Sequence, residues 1–177
     1  MAGPGNTAEP RGTRESDLAL PEGIEAGLVG AFAVVAVYLL HDLTTSDWLY
    51  TPTVLGTLLY DGPDMASMVV VDPSSAEPGV AAIYTALHFL LWMIAGFASS
   101  FLVGLAERRP ELRFIPVLCF FSLIAFFFAL DGEVDATGIG RLHLWAGGLA
   151  GAIGLAAYLI WRHPGVLRSA PAKGSPR

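Results

Sequence analysis

The chain has 177 residues, of which 54% are hydrophobic and only 15% charged, with a mean hydropathy of +0.57 and a formal net charge of −6. A soluble domain carries about 25% charged residues; the shortfall here comes from long uncharged runs, the pattern of membrane-spanning helices. One bundle accounts for the whole length, and the acidic balance argues against a nucleic-acid partner.

Residues 1–20 are rich in Gly, Pro, Ala, Glu and Arg and show no periodicity, which predicts a disordered segment. Their long polar lead, with Glu9, Glu15 and Asp17, does not fit a secretory signal peptide, and the apolar run that follows is too long for one. An uncleaved first helix is expected over about 21–42. Pro21 suits its first turn because the missing N–H would have no partner there. Glu22 and Glu25 lie near the positive end of the helix dipole. The body from Gly27 to Leu40 contains no charge, and about 20 residues at about 1.5 Å each match a hydrocarbon core of about 30 Å.

Residues 43–78 form the longest connection. Trp48 and Tyr50 are amphipathic rings suited to the membrane interface. Thr51-Pro52 starts a short helix with Val54, Leu55, Leu58 and Leu59 on one face, lying along the membrane or capping the bundle. Met65 to Val71 reads as a short strand or packed loop, and 73–79 as a loop.

The second membrane helix is expected over about 80–106 and the third over about 112–130, joined by the basic turn Glu107-Arg108-Arg109-Pro110-Glu111-Leu112-Arg113. Pro116 falls in the first turns of the third helix, where it is tolerated. Asp131 to Asp135 and Thr137 to Gly140 read as an acidic turn. The fourth helix is expected over about 141–161, and 164–177 as a disordered tail. The expected fold is therefore an all-α integral membrane protein: a four-transmembrane-helix bundle over 21–163, with a short interfacial helix in the long outer loop.

Arginines set the orientation. Arg11 and Arg14 precede the first helix, Arg108, Arg109 and Arg113 join the second to the third, and Arg162, Arg168, Lys173 and Arg177 follow the fourth. Four crossings put all of these on one side. The other side has Arg141 against Asp42, Asp47, Asp61, Asp64, Asp72, Glu77, Asp131, Glu133 and Asp135. Both termini are therefore expected in the cytoplasm. The Ala/Gly/Arg-rich, Lys-poor composition points to a bacterial cytoplasmic (inner) membrane.

Membrane helices associate by close packing rather than by the hydrophobic effect, so small residues every four positions mark close approach. Gly96, Ser100 and Gly104 form one such stripe, Gly147 and Gly151 another, and Gly27 with Ala31 a third. The third helix lacks one and instead carries Phe114, Phe120, Phe121, Phe126, Phe127 and Phe128. The first, second and fourth helices should pack closely, leaving the third outermost, with Phe120, Phe121, Phe127 and Phe128 as a candidate partner interface.

Ionisable groups inside a membrane are costly and hence functional candidates. His41, His88 and His143 fall in the outer half and, with Asp42 and the acidic turn, could converge on one site. Imidazole ligates haem iron, copper and zinc, so these three are the candidate cofactor-binding residues and haem the candidate cofactor. They differ in depth, and no pair has i, i+4 spacing. Asp131, Glu133 and Asp135 alternate like calcium ligands, but Ala136 stands where the turn glycine should be and Leu142 at the twelfth position; a solvated turn is the better reading. Cys119 lies within an apolar run and is the chain's one cysteine, so no intrachain disulfide can form. No catalytic motif, phosphate loop, inverted repeat or broken helix pair is present in the sequence. The expected function is a non-catalytic accessory or structural subunit, or assembly factor, of a larger membrane protein complex, with a respiratory or photosynthetic setting. A haem- or metal-binding redox protein is the alternative, and a small transporter or sensor the third.

Overall fold

The computed structural model describes residues 11–45, 49–72, 78–136 and 143–165. These residues are 92% helical and include no strand. Six α-helices follow in order: α1 (Arg11–Thr45), α2 (Tyr50–Tyr60), α3 (Pro63–Val71), α4 (Pro78–Arg108), α5 (Phe114–Ala136) and α6 (Leu144–Arg162), with a 3-10 turn (Pro110–Leu112) between α4 and α5. Four of them contain apolar spans long enough to cross a bilayer: Leu20–Thr44, Pro78–Arg108, Phe114–Asp135 and Leu144–Arg162. The protein is an integral membrane four-helix bundle.

Contacts at the helix ends establish the alternation. Glu22 at the start of the first span, Glu107 at the end of α4 and His163 after α6 meet at one end. Asp42, Thr51, Asp131 and Leu144 lie at the other. The first is called here the arginine-bearing end and the second the acidic end.

Several helix limits differ from the expected ones. α1 begins at Arg11 and runs through Pro21; Arg14, Glu15, Leu18, Ala19 and Leu20 are all good helix formers, and they extend the helix upstream of the proline. Residues 63–71 are helical rather than extended. Gly62, at φ +87°, makes the sharp turn after α2, and Pro63 then occupies the first helical position, where it is pre-organised. Asp131 to Asp135 continue α5 instead of forming a turn. Residues 1–10 and 166–177, Trp48, the loop residues 73–77, and Thr137 to Leu142 with Arg141 lie outside the described residues.

The core is built around α1, which packs most extensively on α4 and α6. Buried Ala26, Ala31, Val34, Trp92, Val103, Leu155 and Leu159 form its centre. A second cluster, Val54, Leu55, Ala66, Val69 and Leu144, joins the α2–α3 hairpin to the acidic end of the bundle. On α2 the apolar face turns Val54 and Leu55 inward, whereas Leu59 is 60% exposed. α5 is the outermost helix: no residue of its span is buried, and it rests mainly on α6, touching α4 sparingly.

Candidate functional site

The small-residue stripes serve two different purposes. Between α1 and α4 they allow the backbones to touch. A Cβ at Gly96 would overlap the Gly23 carbonyl and the Gly27 backbone, and one at Gly27 would overlap Trp92 and Met93 main-chain atoms. Ser100, one turn further along, is buried. Gly104, the last member of that stripe, faces open space: eight residues beyond Gly96, the helix has turned it about 80° away from that contact.

On α6 the glycines instead receive aromatic rings. Gly147 lies under the Tyr38 ring, Gly148 under Phe127 and Gly151 under Trp92. Trp92 is 4% exposed and sits between Gly30 of α1 and Gly151 of α6. Its outer face stacks on Phe127, with ring centroids 5.8 Å apart and planes 11° from parallel. Such offset stacking adds to the contact area the rings bury. Phe127 is therefore an internal anchor that seats α5 on the bundle rather than part of an outward face. Phe120 is half-buried, and Phe121 and Phe128 are 61% and 54% exposed. Phe114 and Phe126 join them on the exposed surface.

At the acidic end two carboxylates act as remote helix caps. The Asp42 side chain, 1% exposed, accepts hydrogen bonds from the Thr51 N–H at 2.9 Å and the Thr51 hydroxyl at 2.5 Å. The first turn of α2 has donors that no helical carbonyl can reach, and its own cap position, Leu49, offers no side-chain acceptor. Asp42 fills that role from α1, its charge favoured by the α2 dipole. The same carboxylate, after partial burial, pushes the Tyr50 phenol above its ordinary pKa. Asp131 does the equivalent for α6: its Oδ1 accepts from the Leu144 N–H at 2.6 Å. The Leu144 carbonyl accepts from the Tyr38 hydroxyl at 3.3 Å. His143, with φ +46°, makes the left-handed turn into α6 and has no capping bond of its own.

At the arginine-bearing end, His163 bridges two helices. Its Nε2 lies 2.6 Å from Glu22 Oε1 on α1 and its Nδ1 3.1 Å from Glu107 Oε1 on α4. As imidazolium the ring donates to both. The Tyr158 hydroxyl donates to Glu25. These contacts tie the end of α6 to α1 and α4.

The three histidines singled out in the sequence have separate surroundings. His88, on α4, has Nε2 3.4 Å from the Ala31 carbonyl and rings of Tyr84, Phe89 and Trp92 around it. His143 is exposed and lies edge-on to Trp145, at 6.4 Å between centroids. His41 is half-exposed in the last turns of α1. Among the described residues no group of three or more His, Cys, Asp or Glu side chains is arranged to hold a metal ion.

Sequence reasoning passed over His163, Glu22 and Glu107 as a group. The available signal was topological: with four alternating helices, the start of the first, the end of the second and the end of the fourth must share one end. It also passed over Trp92, the large ring that explains why Gly30 and Gly151 are needed opposite one another. Compared with protein-family models, curated proteins and solved structures, the chain matches none of them.

Proposed function

We propose that the protein is a non-catalytic accessory subunit of a larger membrane protein complex, or a factor that assembles one. The observation that supports this most is α5, a span with no buried residue that leaves Phe114, Phe121 and Phe126 largely exposed, while Phe128 stacks on Trp145 of α6. Within a bilayer, packing rather than apolarity drives association, and exposed rigid rings can still gain contact and stacking energy against another helix. The polar groups support the same reading: Asp42, Asp131 and His163 are engaged in holding helix ends. The arginine-bearing end faces the cytoplasm in this proposal, by the distribution of arginine among the loops, and a bacterial inner membrane suits the composition.

Gentle-detergent purification of tagged protein from its native membranes, followed by native mass analysis, tests the proposal. Migration in a large complex, weakened by Phe121→Ala, is the expected result. Migration alone, or as a small homo-oligomer, would overturn it. A visible absorption band lost on His88→Ala would favour a redox role instead.

A further inference from the structure

Because α4 and α6 scarcely meet and α5 rests mainly on α6, the three helices line an open cavity of about 290 Å³. It opens beside the arginine-bearing end. Along α6 its wall runs from Ala152 to His163, eleven residues or about 16 Å at 1.5 Å per residue. That is half of a hydrocarbon core of about 30 Å, the depth of one leaflet. Away from the mouth the wall is almost wholly apolar, formed by residues such as Val103, Leu123, Leu155 and Leu159, with the Ser99 hydroxyl at its far end. Charge enters only at the mouth, through Arg113 and His163. His163 is itself held between Glu22 Oε1 at 2.6 Å and Glu107 Oε1 at 3.1 Å, and Arg108, Arg109 and Glu111 are exposed beside the same turn.

From this polarity we infer that the cavity is a binding site for one acyl chain of an anionic phospholipid, with the lipid phosphate at Arg113. An apolar slot one leaflet deep with a guanidinium at its interfacial end matches a single lipid in length, chemistry and charge. Arginine donates to phosphate in a forked geometry, and basic groups at the membrane surface select anionic over zwitterionic headgroups. A lipid there would also fill the space between α4 and α5 that the side chains leave open.

Cys119 lines the cavity and is the chain's one cysteine, so it reports occupancy without any substitution. Full-length protein, purified and stripped of endogenous lipid, is titrated with phosphatidylglycerol or phosphatidylcholine of identical acyl chains. Maleimide labelling of Cys119 and native mass analysis are read together. The expected result is one retained phosphatidylglycerol and several-fold slower labelling, with phosphatidylcholine roughly five-fold less effective and glycerol phosphate, which has no chain, without effect. Arg113→Gln should abolish the preference while Arg109→Gln keeps it. Ala156→Phe, which narrows the slot, should reduce retained lipid; if that variant fails to fold, the wild-type labelling still decides. Equal protection by both lipids, or by neither, overturns the inference. Protection seen only within a native complex would also overturn it, by assigning the slot to a partner's side chain.

Discussion

Asp42 of α1 holds the first turn of α2 by both the backbone N–H and the hydroxyl of Thr51, at 2.9 and 2.5 Å, in a site almost closed to solvent. A carboxylate at the end of a membrane span is here a structural cap for the loop helix. Asp42→Ala removes the acceptor and leaves Thr51 donors buried. Bonds to a charged group contribute about 1.5–3 kcal/mol, so the α2–α3 hairpin should loosen by about 2 kcal/mol. Limited proteolysis within 49–72 measures it. Asp42→Asn, which keeps one acceptor, should fall between the variant and the wild type.

Gly96 and Gly104 lie two turns apart on α4 and should respond in opposite ways. Gly96→Ala drives a methyl group into the α1 backbone at Gly23 and Gly27, and overpacking costs about 1–3 kcal/mol. Gly104→Ala meets nothing and should be neutral or stabilising by up to about 1 kcal/mol, the helix-propensity difference. Thermal unfolding in one detergent compares them. Equal destabilisation would show that the α1–α4 contact is not centred on Gly96.

Two phenylalanines of α5 separate packing from partner binding. Phe127→Ala removes the ring that stacks on Trp92 and covers Gly148; loss of about 3 kcal/mol is expected, visible as earlier unfolding of the isolated protein. Phe121→Ala, at an exposed position, should leave that unfolding within about 0.5 kcal/mol and act only on co-purification of other subunits.

Glu22 and His163 are predicted to be coupled. A double-mutant cycle with Glu22→Gln and His163→Gln should give an interaction energy of about 1 kcal/mol, because the pair is close and mostly shielded from solvent. Additive effects would mean that the two groups fold independently of each other.

Much of the architecture was legible in the residues themselves. The span lengths, their alternation and the outermost place of α5 follow from uncharged runs, arginine placement and the lack of small residues in one helix. Met65 to Val71 was misread because three valines favour strands locally, whereas the turn at Gly62 and packing of Ala66 and Val69 on the bundle make it a helix. The acidic stretch after Leu130 was misread as a turn because its charges suggested solvent; helical hydrogen bonding carries α5 through it, and Asp131 gains a partner in the Leu144 N–H.

What the sequence by itself determined is the environment: a bilayer, four crossings and two chemically distinct ends. Those properties depend on transfer free energy summed along a segment, which needs no knowledge of neighbours. Which side chain faces which was decided only in the tertiary structure. Gly96 and Gly104, or Phe127 and Phe121, are alike in type and local setting, and they differ because each helix is rotated about its axis by its contacts with the others. The pairing of Asp42 with Thr51, the meeting of His163 with Glu22 and Glu107, and the slot beside Arg113 all follow from that rotation.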